Sequence, residues 1–248
     1  MLLVLVVACG SPPAAEETDG LRRGQDATLT QQQTLAAADA MFDFDPTLDP
    51  TKTAQQNAAA IAARTMSSLP CAMVSASGTT VTVVASNCSG ENGVTLSGTI
   101  TASVVKTDSP ATLTVTLTFT NVVLNGSAVS GTMSMTTSNG TTFQVTYDLT
   151  RANETVTGML TAVGAPGQIT TSGTIVNGGT SALLTSVVWK KGDCYPSNGT
   201  LAVTVGRVTT TYTFSSSTPS TGVVTTARGA KLQLPAYGSC PSQDGGRP

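Results

Sequence analysis

One stretch of this chain leaves little room for a helix. In ATLTVTLTFTNVVL, Leu113, Val115, Leu117 and Phe119 alternate with Thr112, Thr114, Thr116 and Thr118. Side chains of an extended strand point to opposite faces in turn, so this period of two places apolar groups on one face and hydroxyls on the other. The same pattern recurs in GVTLSGTITASVV, SAVSGTMSMTT, TTFQVTYDLT, ETVTGMLTAV, SALLTSVVWK, GTLAVTV and RVTTTYTF. Asn-Gly pairs, at 92–93, 125–126, 139–140, 177–178 and 198–199, supply the left-handed backbone that tight hairpins need. The spacing predicts a mainly β fold of ten to thirteen strands. They form a single large antiparallel up-and-down meander, either a curved open sheet or a barrel, with a two-sheet sandwich as the rival. SGT recurs at Ser97, Ser130 and Ser172, with TGM at Thr157 and NGT at Asn198. Each glycine is expected to mark a bulge or bend.

Two short N-terminal helices are expected before the strands. TQQQTLAAADAMFDF (residues 30–44) is one. The other begins at Asp49 as N-cap with Pro50 in the first turn, carries Ala58, Ile61, Ala62 and Met66 on its apolar face, and stops at Pro70. The resulting division is a signal segment over 1–8, a flexible tether over 9–28, a helical segment over 29–70, an antiparallel β-domain over 71–240 and a tail over 241–248. The tether reading follows from its Pro, Gly and acidic residues, which bury too little to offset the entropy of ordering.

Composition narrows the chemistry. Charged residues make up 10% of the chain, the formal net charge is −2 and there is no histidine. That removes His-based triads, His-ligated zinc and His proton shuttles, and it leaves no basic footprint for nucleic acid. Eight of the 14 acids precede residue 50, while about a third of residues 71–240 are Ser or Thr. Solubility through hydroxyls is common in exported β-proteins.

Of the cysteines, Cys71 and Cys88 flank a hairpin that turns at Gly78, which predicts their pairing and leaves Cys194 for Cys240. Metal candidates are weak. Asp43, Asp45 and Asp49 cluster in FDFDPTLDP, but without the glycine and terminal glutamate of a calcium loop. No cofactor is expected. Trp189, beside Lys190, Lys191 and Tyr195, is a weak ligand candidate, since an aromatic next to cations can stack on a sugar or base; it equally suits the end of a core strand. Asp148 and Glu154 are the nearest acid pair in the β-region, and no GxSxG elbow or SxxK motif accompanies them.

The N-terminus carries the one family resemblance. Leu2 to Ala8 is too short to span a bilayer, which needs about 20 apolar residues, but it suits a secretory h-region. Val6-Val7-Ala8-Cys9 resembles the lipobox of bacterial lipoproteins. The resemblance implies cleavage before Cys9, diacylglycerol and palmitate on that residue, and anchorage in the membrane. Gly10 in place of aspartate implies the outer membrane. The expected function is a membrane-anchored cell-envelope lipoprotein with a non-enzymatic binding or structural role, its partner an apolar ligand or another protein. The alternatives are an adhesin or assembly partner and an envelope hydrolase with no His-based site.

Overall fold

A computed structural model describes residues 48–89, 95–124, 126–151, 154–190, 193, 195–226, 229 and 231–233. The chain enters through helix α1 (Ala54–Ser68). It then forms β1 (Met73–Ser77), β2 (Thr80–Ser89), β3 (Thr95–Asp108), β4 (Ala111–Leu124), β5 (Ser127–Thr137), β6 (Thr142–Arg151) and β7 (Glu154–Ala165). The sheet continues with β8 (Gln168–Asn177), β9 (Thr180–Lys190), β10 (Asn198–Val205), β11 (Val208–Phe214), β12 (Val223–Thr226) and β13 (Lys231–Gln233), with a four-residue helix α2 (Thr218–Thr221) before β12. All 13 strands lie in one sheet in chain order, each antiparallel to the next. Among the described residues β1 and β13 are its two edges, so the meander is open rather than closed.

The alternation expected in β4 is present, with Leu113, Val115, Leu117 and Phe119 buried and the intervening threonines not. Every strand from β2 to β12 contributes residues to one continuous apolar core. The other face is the hydroxyl face. Three bulges interrupt the period. In each, two residues of one strand oppose a single residue of the next: 86–87 in β2 opposite Ser97, 120–121 in β4 opposite Ser130, and 185–186 in β9 opposite Ser172. Asn87, Asn121 and Ser186 take the left-handed backbone there. The SGT repeat is thus one half of a bulge. The Ser97 hydroxyl accepts the Asn87 N–H at 2.8 Å, and the Ser172 hydroxyl accepts the Ser186 N–H at 2.9 Å. The neighbouring glycine admits the next strand. A Cβ on Gly98 would lie 2.2 Å from the Asn121 carbonyl oxygen.

Helix α1 corrects the predicted start. Its N-cap is Thr53, not Asp49. The Thr53 hydroxyl accepts the Gln56 N–H at 3.1 Å, and the Gln56 side chain accepts the Thr53 N–H at 2.9 Å, a reciprocal capping box. Asp49 instead closes a local turn by accepting the Thr51 N–H and hydroxyl. The buried stripe is Asn57, Ala58, Ile61, Ala62 and Thr65, while Met66 is 49% exposed, contrary to its predicted core position. Stepping by three and four from Ile61 and Ala62 reaches Thr65, whose hydroxyl is satisfied by the Ile61 carbonyl at 2.8 Å. Met66 falls one residue outside that stripe. The helix predicted over 30–44 lies outside the described residues, so α1 alone represents the expected N-terminal pair.

Helix α1 packs on β1, β2 and β3. Its 15 residues are about 22 Å long at 1.5 Å each, and it covers the sheet at the β1 edge. At its entry, the Leu48 carbonyl is set against Gly140, in the β5–β6 connection. Buried Asn57 clamps this approach, accepting the Asp49 N–H and donating to the Asp49 and Thr53 carbonyls at 2.9–3.0 Å. At its exit, the predicted Cys71–Cys88 disulfide ties the chain to the far end of β2, with a Cα–Cα distance of 5.5 Å.

Candidate functional site

The two faces of the sheet differ in what they offer a ligand. On the inner face the side chains are buried. Tyr147 packs flat over its cross-strand neighbour Gly158, where a Cβ would come within 2.2 Å of the ring. Burial pushes the Tyr147 phenol well above its usual range. Its hydroxyl, the Trp189 indole N–H, the Asn177 side-chain oxygen and the Thr180 hydroxyl are buried without a hydrogen-bond partner. Trp189 lies on this face, only 7% exposed and in register with Ile169, and Tyr195 is buried too. Its indole is therefore core packing rather than an open stacking platform.

The outer face is a lattice. Following the register from β2 to β11, one row reads Thr82, Thr101, Thr118, Thr132, Asp148, Thr157, Val176, Ser181, Thr204 and Thr209. Two residues along the strands, the next row reads Thr80, Ser103, Thr116, Ser134, Thr146, Met159, Thr174, Leu183, Ala202 and Thr211. Strand spacing sets about 4.8 Å between neighbours in a row and about 6.7 Å between rows. None of these 20 residues is buried. Hydroxyls meet across strands: Thr116 with Ser134 at 3.5 Å, Thr204 with Thr209 at 2.8 Å and, on a flanking row, Thr114 with Thr136 at 3.0 Å. Such pairs leave each hydroxyl further capacity towards an incoming group. Asp148 is the one charge in the two rows.

An apolar island interrupts the rows on β7 to β9. Met159 is 68% exposed and Leu183 49%, separated in their row by Thr174, with exposed Val176 in the adjoining row. Nothing in the alternation singled this island out, because isolated apolar residues on a solvent face carry no signal until register aligns them.

The carboxylates are dispersed. Asp148 shares the outer face with Thr157, whereas Glu154 is in register with Arg151 at the hairpin end and has the parity of the opposite face. The nearest acid pair in sequence is therefore divided between two faces. Asp49 is held below the usual carboxylate range by the Thr51 hydroxyl and N–H, with Lys52 at 3.7 Å adding to it. Asp43 and Asp45 lie outside the described residues, as do Cys9, Cys194 and Cys240. Among the described residues no three His, Cys, Asp or Glu side chains come together. Family models, curated proteins and solved structures give no match to this chain.

Proposed function

We propose that this chain is a lipid-anchored protein of the bacterial cell envelope, held through Cys9, whose β-domain works by binding or by forming surface structure rather than by catalysis. The carrying observation is the outer face, a solvent-facing and nearly uncharged lattice rich in hydroxyls, half-buried to exposed, that crosses ten strands in register. An extended neutral surface of this kind recognises by area and repetition. The separation of Asp148 and Glu154 onto different faces supports the same reading as far as glycoside hydrolysis is concerned, since that chemistry uses two carboxyls set across one bond. The hydroxyl rows also differ from the apolar band that a bilayer-facing barrel presents. The Leu2–Ala8 apolar run and the Val6–Cys9 lipobox resemblance support the anchor.

The test is metabolic labelling of the full chain with a palmitate analogue in a bacterial host, together with the intact mass of the mature protein. Label on the wild type, lost in Cys9→Ala along with membrane recovery, is the expected result. A mature protein that keeps Met1 and an unmodified Cys9 overturns the anchor.

A further inference from the structure

We propose that Asn198 is a self-modifying site, where the Gly199 backbone nitrogen closes on the Asn198 side-chain amide and leaves aspartate or isoaspartate at the start of β10. Ring closure of this kind needs an asparagine followed by a residue with no side chain in the way. It also needs a carboxamide lying against the next backbone nitrogen. Three Asn-Gly pairs fall wholly among the described residues, at 139–140, 177–178 and 198–199. The fold holds each of them differently.

At Asn198 the side chain is exposed and folded back on its own following peptide, with Oδ1 accepting the Gly199 N–H at 2.8 Å. The electrophilic Cγ is bonded to that oxygen, so a turn of the soft Cβ–Cγ torsion sets it over the nitrogen. A nucleophile already held in place needs no encounter with a second molecule. The sheet requires glycine at 199: its φ is +99, and a Cβ would lie 2.4 Å from the Ser186 carbonyl oxygen. The bulge that demands the glycine therefore creates the reactive pair. Asn139 is exposed too, but its Oδ1 is turned forward to accept the Thr141 and Thr142 N–H groups at 3.0 and 2.8 Å. The Gly140 N–H is given to the Thr137 hydroxyl at 2.9 Å, so nucleophile and electrophile are held apart. Asn177 is 8% exposed, and the oxyanion formed by attack there would have to be buried.

Water is the only other reactant. The Gly199 nitrogen bonds to Cγ, the carboxamide nitrogen leaves as ammonia with the Gly199 proton, and water then opens the ring. Opening at Cγ gives aspartate. Opening at the Asn198 backbone carbonyl gives isoaspartate, whose main chain runs through the former side chain and is one carbon longer. Either product adds a carboxylate that is charged at neutral pH. The longer chain cannot keep the Asn198–Val188 register, so β10 loosens from β9 at this end.

Peptide mapping by mass spectrometry tests this on the purified full chain, incubated at mildly alkaline pH both folded and in urea, with enzymatic methylation of isoaspartate as a second readout. In the folded protein, conversion at Asn198 should be at least about tenfold faster than at Asn139 or Asn177. In urea the three rates should converge. On ageing, the wild type should lose denaturation midpoint that Asn198→Gln, which would need a larger ring, retains. Equal rates at the three sites in the folded protein, or the same ordering in urea, overturns the inference. Equal loss of midpoint in wild type and Asn198→Gln overturns the effect on β10.

Discussion

The Tyr147–Gly158 pair is the most exacting test of how the inner face is built. Tyr147 is 5% exposed and its hydroxyl has no partner. A buried hydroxyl left unpaired costs about 1–3 kcal/mol of desolvation. Tyr147→Phe removes that cost and loses only the dispersion contacts of one oxygen, each about 0.1–0.2 kcal/mol. The variant should therefore be more stable than wild type by about 1–2 kcal/mol. With a urea m-value of about 1–3 kcal/mol per molar, the midpoint should rise by roughly 0.5–1 M at constant m. The pH dependence follows from the raised phenol. In the unfolded chain Tyr147 begins to ionise near pH 10, while the folded protein holds its proton. Above that pH the unfolded state binds fewer protons, so the Tyr147 contribution is complete below about pH 10 and is lost as pH rises beyond it. Tyr147→Phe should show the shallower alkaline loss.

Gly158→Ala probes the same contact from the other strand. Its Cβ would sit 2.2 Å from Cζ and 2.5 Å from Oη of Tyr147. Overpacking of this kind costs about 1–3 kcal/mol, and Tyr147→Leu should recover most of it by clearing the ring. A double-mutant cycle on urea denaturation gives the coupling, expected at about 1–3 kcal/mol. A coupling near zero refutes the packing of the ring on the glycine. A Tyr147→Phe variant less stable than wild type by more than about 1 kcal/mol shows that the hydroxyl has a partner.

Three further outcomes are expected. Cys71→Ala with Cys88→Ala should cost about 3 kcal/mol for opening a loop of 17-residue separation, read as a lower urea midpoint than wild type without reductant. Gly98→Ala should lose more than about 3 kcal/mol, because its new Cβ meets the Asn121 carbonyl and the Val122 Cα, backbone atoms that cannot turn aside; Gly78→Ala, at φ +59 in open space, should lose only about 1–2 kcal/mol in thermal denaturation. Asn57→Ala should lose about 2–3 kcal/mol by unpairing the Asp49 backbone, with amide exchange accelerating at Asp49 before the strands respond.

Strand order, the hairpin disulfide and the chemistry of each face were legible wherever apolar alternation is strict, as in β4 and β6. Strand β8 gave no such signal. Its inward positions include Thr171, Gly173 and Asn177, so the apolar half of the pattern is missing although the strand pairs along its whole length. The helix start is ambiguous in the sequence because Asp49-Pro50 and Thr53-x-x-Gln56 are both good N-terminal patterns four residues apart. Asp49 spends its carboxylate on Thr51, which leaves the box at Thr53 to nucleate the helix. The candidate surface was half legible. Threonine alternation announced a hydroxyl face, but the rows and the apolar island exist only once the register of neighbouring strands is known.

The bulges keep the two faces distinct in the parts of β2, β4 and β9 that lie beyond the rows. Each extra residue reverses which face the remainder of its strand presents. In β9, Ala182 and Leu184 point inward, and an unbroken period would carry Trp189 outward with Thr185. The bulge at Ser186 turns Val187 and Trp189 into the core instead. In β4 the bulge at Asn121 does the same for Val122 and Leu124, and in β2 the one at Asn87 does it for Cys88. Without these reversals the distal halves of three strands would place large apolar groups among the threonines and hydroxyls within the core. The SGT serines and glycines accommodate the reversals from the strand opposite. The SGT repeat is therefore part of what keeps the apolar interior and the hydroxyl surface distinct along these three strands.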